Sequence, residues 1–190
     1  MSNELRLIII SGLSGSGKTV ALHVLEDLGY YCIDNLPANL LKAAVDEVRS
    51  RSKEAARLLA VGVDARARAE DIRSLPELLR ELREENVKAE IVFLRASEEI
   101  LLQRYSESRR RHPLAEQGGE LHAAIQSERD ILAEIHDSAD LVIDTSLISI
   151  YELADVMRER VDRRNSDSLS VLIQSFGFKY GIPADADFVF

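Results

Sequence analysis

The chain is short of the residues that staple, kink or anchor a fold. One of its 190 residues is cysteine, Cys32, so no intrachain disulfide can form. Cys32 lies in an apolar stretch and reads as a core residue. There is no tryptophan, and only four prolines and two methionines. No apolar run approaches the roughly 18 residues needed to span a bilayer. The opening, Met1 to Glu4, leads straight into an apolar segment without a signal-peptide pattern. We therefore expect a cytoplasmic protein with no membrane partner. The histidines, His23, His112, His122 and His136, show no metal-ligand spacing. Positive charge is also scarce. A net charge of −9 excludes a surface that coats nucleic acid over its whole extent, although local basic patches remain open.

What is present is ordinary for a globular domain, with 46% hydrophobic and 30% charged residues. Strand and helix signals alternate along it, which predicts a mostly parallel sheet with helices on both faces. Strands are expected near 5–11, 30–34, 57–64, 89–94 and 140–144, with a sixth over 169–174. Helices are expected near 20–28, 38–51, 70–85, 97–108, 119–136 and 149–163. Gly29 is placed to end the first of them.

Between the first strand and the first helix stands Gly12-Leu13-Ser14-Gly15-Ser16-Gly17-Lys18-Thr19. It fits the phosphate-binding pattern G-x-x-x-x-G-K-[ST] in the strand–loop–helix setting that its chemistry needs. A triphosphate is a dense cluster of anionic oxygens. Inward-pointing amides of a glycine-rich loop, with the partial positive charge of a helix N-terminus, form a nest for it. Lys18 is expected to reach the terminal phosphates as the main catalytic charge, and the Thr19 hydroxyl to ligate Mg²⁺. The fold class expected is therefore the α/β fold of P-loop NTPases, of the nucleotide-kinase type.

Such a site also needs a carboxylate at a neighbouring strand end, to hold Mg²⁺ or orient a nucleophile. Asp64 is the first candidate and Asp34 the second, and Asp144 also ends a strand. All three are expected at one carboxyl edge. Farther on, Arg104 to Leu114 carries four arginines against one glutamate. Arg104, Arg109 and Arg110 are candidates for a phosphate-clamping lid, against the plainer alternative of a solvated basic helix face.

From about residue 162 the composition becomes polar, and four of the five phenylalanines fall after that point. We expect a nucleotide-binding domain over 1–165, and a linker with the start of a further, truncated domain over 166–190. A final edge strand completing the sheet is the alternative.

Several segments together resemble the RapZ/YvcJ family of bacterial nucleotide-binding proteins. They are the P-loop with Val20 to Leu22, Leu25 to Pro37, Val63 to Arg66, Arg104 to Ser106 with Arg109 and Arg110, His112 to Leu114, Asp144 to Ser146, Ser175 to Pro183, and Asp185 to Asp187. The resemblance implies slow hydrolysis of ATP and GTP, with ATP at Gly12 to Thr19 and GTP at Asp64, Ala65, Arg66 and Ala67. Family members often carry Asp-Val-Arg-Asn at the latter place, so Ala65 and Ala67 depart from the pattern. It also implies a regulatory RNase adapter that binds small RNA through a C-terminal domain and presents it to a ribonuclease. A homo-oligomer is expected. A small-molecule kinase and a nucleotide-sensing scaffold without chemistry are the competing functions.

Overall fold

The computed structural model describes residues 5–51, 58–66, 69–108, 112–114, 120–163 and 179. The strand expected over 169–174 and nearly all of 166–190 lie outside these residues. The described chain runs β1 (Leu5–Gly12), α1 (Lys18–Asp27), β2 (Tyr31–Ile33), a short 3₁₀ turn (Ala38–Leu40), α2 (Leu41–Arg51) and β3 (Leu58–Gly62). It continues through α3 (Ala69–Glu84), β4 (Val87–Arg95), α4 (Glu98–Ser108), α5 (Leu121–Asp137), β5 (Leu141–Asp144) and α6 (Ile150–Arg163).

The five strands form one parallel sheet in the order β2-β3-β1-β4-β5. Every residue of β1 is buried, as an unbroken apolar run at the sheet centre must be. Its side chains alternate between two cores. Leu5, Leu7 and Ile9 meet Leu41, Ile72, Leu79 and Leu132 from α2, α3 and α5 on one face. Ile8 and Ile10 meet Ala21, Leu25, Leu153 and Met157 from α1 and α6 on the other. Helices thus cover both faces, as the alternation of sequence signals predicts.

Local chemistry sets where the elements end. Helix α1 stops at Leu28, where Gly29 takes a φ of 88°. The Gly29 amide donates to Glu26 O and the Tyr30 amide to Leu25 O, the bonding of a Schellman turn. Strand β2 is shorter than the 30–34 expected, because Asn35 turns the chain with a φ of 54°.

The order of strands places the site. From β1 the chain moves outward to β2 and returns to β3 on one side, then passes to β4 on the other. The loop after β1 lies at this reversal, where open parallel sheets leave a crevice at their carboxyl edge. Gly12 is held hard against β4 there. The Leu13 amide donates to Leu94 O at 3.1 Å. A Cβ on Gly12 would lie 2.0 Å from that same oxygen, at a φ of 140°. Gly12→Ala should therefore force β1 and β4 apart and cost more than about 2 kcal/mol in urea unfolding. An unchanged unfolding midpoint would contradict this packing.

Candidate functional site

The loop from Gly12 to Gly17 is fastened on its outer side. The Ser16 amide donates to Leu13 O at 3.0 Å. The Ser14 amide and hydroxyl donate to the two carboxyl oxygens of Glu128 at 2.8 and 2.6 Å. Arg104 donates to Gly15 O at 2.9 Å and to Thr145 O at 2.6 Å. The Thr145 hydroxyl lies 2.9 Å from Ser16 O. Gly15 and Gly17 take φ values of 91° and 107°. A Cβ at Gly17 would also come within 2.7 Å of Leu153. Glycine meets both demands.

The inner side is left open. The amides of Gly15, Gly17, Lys18 and Thr19 have no backbone acceptor among the described residues. The last two belong to the first turn of α1, whose amides point out of the helix N-terminus. Together these residues line a cleft of about 750 Å³. The Lys18 ammonium is folded back onto Gly12 O at 2.7 Å. Burial pushes its pKa down, while the charges of Glu128, Asp64 and Asp34 pull it back up. The cleft offers a cation, a helix N-terminus and unpaired amides, the chemistry of an oxyanion receptor.

Leu13 supplies backbone alone, since its side chain is buried beside Ala96, Leu101 and Ile125. Asp34 and Asp64 line the cleft opposite the loop, and Asp144 does not. Asp144 instead faces Arg95 at 3.2 Å and borders a separate cavity of about 380 Å³ with Leu13, Ala96 and Arg129. The shared carboxyl edge holds for all three, but one cleft holds only two. Of the second nucleotide stretch, Ala65 is buried in the core and Arg66 lines the cleft. Ala67 lies outside the described residues, as do Arg109 and Arg110. Arg104 is tied into the cleft wall by its bonds to Gly15 and Thr145. Glu128 is the residue that sequence reasoning missed. Its signal was present, since it sits between Ile125 and Leu132 on the buried stripe of α5.

Asp64 is engaged. Its carboxylate accepts hydrogen bonds from the Arg66 amide at 2.9 Å, Nε at 2.9 Å and Nη2 at 2.5 Å. The exposed carboxylate of Asp34 has no hydrogen-bond partner among the described residues. Thr19, Asp34 and Asp64 offer oxygen donors of the type Mg²⁺ prefers. No group of three or more histidine, cysteine or acidic side chains suited to a metal occurs among the described residues. The residues thus fit an ion that arrives with phosphate oxygens supplying the remaining ligands. No described helix is long and apolar enough to cross a membrane.

The parallel order β2-β3-β1-β4-β5, with the glycine-rich loop between β1 and α1, defines a P-loop α/β fold of the kind found in small kinases. Shikimate kinase from Acinetobacter baumannii in complex with shikimate superposes with a TM-score of 0.51 at 21% identity, over 84% of this chain and 94% of that one. The YorR protein of Bacillus subtilis, in complex with phosphorylated GDP, gives 0.52 at 17% identity, over 84% and 97%. At such identities the likeness is one of fold alone. The family is shown by sequence. A model of the RapZ-like N-terminal domain matches residues 5–165, and the chain belongs to that family. It is 50% identical over 186 residues to a nucleotide-binding protein of Thioalkalivibrio sulfidiphilus, covering 98% of this chain and 65% of the relative. A nucleotide-binding protein of Halorhodospira halophila is 52% identical over 186 residues, with 98% and 64% covered. The chain thus spans about two thirds of the length of these relatives.

Burial works against the charge on Asp64, but the hydrogen bonds and charge of Arg66 outweigh it and hold the carboxyl below its ordinary 3.8. As pH falls, the unfolded chain takes up this proton before the folded one does. The pair's contribution to stability is therefore complete well above pH 3.8 and is lost as acid carries the folded carboxyl through its own lower pKa. Arg66→Ala should move the Asp64 titration upward in carboxyl-detected NMR. A titration that does not move in that variant would contradict the assigned cause.

Proposed function

We propose that this chain is a Mg²⁺-dependent nucleotide-binding domain, loaded with ATP or GTP, that hydrolyses its ligand slowly and serves a regulatory role in the cytoplasm. The observation that carries this reading is the set of amides of Gly15, Gly17, Lys18 and Thr19, without a backbone acceptor among the described residues and set around the Lys18 ammonium in one cleft. In the proposed complex, Lys18 leaves Gly12 O for the β- and γ-phosphates, and Gly12 to Thr19 wrap the phosphate chain. Thr19 and Asp64, with Asp34 beside them, would hold Mg²⁺, which supplies charge neutralisation on the phosphate oxygens when bound. Slow turnover fits the state of Asp64. Its carboxylate is occupied by Arg66 and must be released before it can orient a water. The names of the relatives, nucleotide-binding proteins, agree with this reading.

The division of labour is the one the family resemblance implies, and charge and length agree with it. We assign residues 1–165 to the nucleotide domain and 166–190 to a linker with the start of a further domain. RNA contact, presentation to a ribonuclease and part of any homo-oligomer contact are assigned mainly to the portion of the relatives that this chain does not span. A preference for GTP at Asp64 to Ala67 would rest on Asp64 and Arg66, because the Ala65 side chain is buried. Arg109 and Arg110 are proposed to close over the phosphates.

One observation favours a second reading, a small-molecule kinase. Asp34, whose carboxylate has no hydrogen-bond partner among the described residues, lines the same cleft as the loop and is suited to take a proton from an acceptor hydroxyl. Turnover that rises far above hydrolysis when a metabolite mixture is added would select that reading. A nucleotide that binds with no phosphate released over hours would leave a sensor without chemistry.

Lys18→Ala should weaken binding of a fluorescent ATP or GTP analogue about a hundredfold, through loss of a buried charge beside the phosphates. Wild-type affinity should also decline on the alkaline side at a pH below 10.5, because Lys18 loses its proton early. Unchanged affinity in the variant would remove Lys18 from the site. Tight, salt-resistant RNA binding by these 190 residues would overturn the division of labour.

A further inference from the structure

We propose that Glu128 is the positioning residue of the phosphate loop, fixing Ser14 from behind and tying the loop, through His112, to the segment that follows α4. The inference rests on the nucleotide-binding reading and names a residue that the motif itself does not contain.

Glu128 has no solvent exposure and stands among Ala124, Ile125 and Leu132 on the buried face of α5. A carboxylate is rarely kept in such a place unless donors converge on it. Three do. The Ser14 amide donates to Oε2 at 2.8 Å and the Ser14 hydroxyl to Oε1 at 2.6 Å, a two-point grip on one residue. The third donor is His112 Nε2, 3.1 Å from Oε2. Its tautomer follows from its other nitrogen. The Leu114 amide donates to Nδ1 at 3.2 Å, so Nδ1 is the acceptor and Nε2 carries the hydrogen. Tyr105 closes the group, with its ring 5.3 Å from that of His112. Burial pushes its hydroxyl up to about 12, against a hydrogen bond with Ser14.

Two of these donors belong to Ser14 in the cleft wall and the third to the buried His112, beside Pro113 of the same wall, and none to the core neighbours of α5, which is already seated by Ile125, Leu132 and Ile135. The grip occupies the Ser14 amide and hydroxyl together. Arg104, itself in the cleft wall, fixes the next carbonyl, Gly15 O. The loop is therefore shaped before a ligand arrives, and binding costs little further ordering. The Glu128 charge also comes first among those that oppose the effect of burial on Lys18.

Glu128→Gln keeps the shape of the side chain but sets an NH₂ group against one of the donors. In the full chain, the affinity for a fluorescent ATP analogue should fall about tenfold to a hundredfold. Amide hydrogen exchange across residues 13–17 of the free protein should quicken. Leu132→Ala, a cavity variant on the same helix, should change neither at a temperature where it is folded. Ser14→Ala should lose affinity too, and the double variant should lose no more than Glu128→Gln alone. Wild-type affinity and exchange in folded Glu128→Gln would overturn the proposal. If Glu128→Gln does not fold, wild-type affinity and exchange in Ser14→Ala would overturn it. A wild-type protein that fails to bind the analogue would refute the nucleotide reading instead, while exchange in the free protein would still decide the role of Glu128.

Discussion

An anion receptor made of backbone must stay open when no anion is present, and the loop after β1 meets that constraint through bonds on its outer side. Ser16 bonds back to Leu13, Ser14 is gripped by Glu128, and Gly15 is held by Arg104. Gly12 is pressed against β4 so closely that no side chain fits. None of these bonds uses the amides of Gly15, Gly17, Lys18 or Thr19. Strand β1 with its neighbour β4, together with α4 and α5, brings these fasteners to one place.

Charge balance shapes the rest. The chain is acidic overall, with a net charge of −9, yet its cleft gathers Lys18, Arg66 and Arg104. Each of these cations is restrained by an internal acceptor. Lys18 and Arg104 rest on loop carbonyls, and Arg66 rests on Asp64. A polyphosphate would compete with these acceptors for Lys18 and Arg66. Exchanging one hydrogen-bonded anion or dipole for another keeps the unliganded site from holding naked buried charge.

The central strands β1, β3 and β4 were legible because they are largely buried and read as apolar runs, and the phosphate loop because its eight residues are contiguous. The strand ends were less so. Asn35 adopts a left-handed φ that shortens β2, which residue type alone does not dictate. Sequence reasoning put Asp64 first and Asp34 second without showing why Asp144 stands apart. Only the strand order shows that β2 and β3 lie on one side of β1, while β5 lies two places away on the other. The basic run that begins in α4 reads as a candidate lid; its first arginine, Arg104, is bonded to Gly15 and Thr145 in the cleft wall, and Arg109 and Arg110 lie outside the described residues. Glu128 escaped notice because its partner, Ser14, is 114 residues away in sequence. A lone charge on an apolar helix stripe was the one local trace of it.

The central claim is that the amides of Gly15, Gly17, Lys18 and Thr19 receive a phosphate chain. The most direct measurement is a crystal structure of the protein with Mg²⁺ and a non-hydrolysable triphosphate nucleotide. Phosphate oxygens within about 3.2 Å of these amides, with Lys18 Nζ moved from Gly12 O to the ligand, are the predicted result. A ligand bound elsewhere, or a cleft left empty at saturating nucleotide, would contradict it.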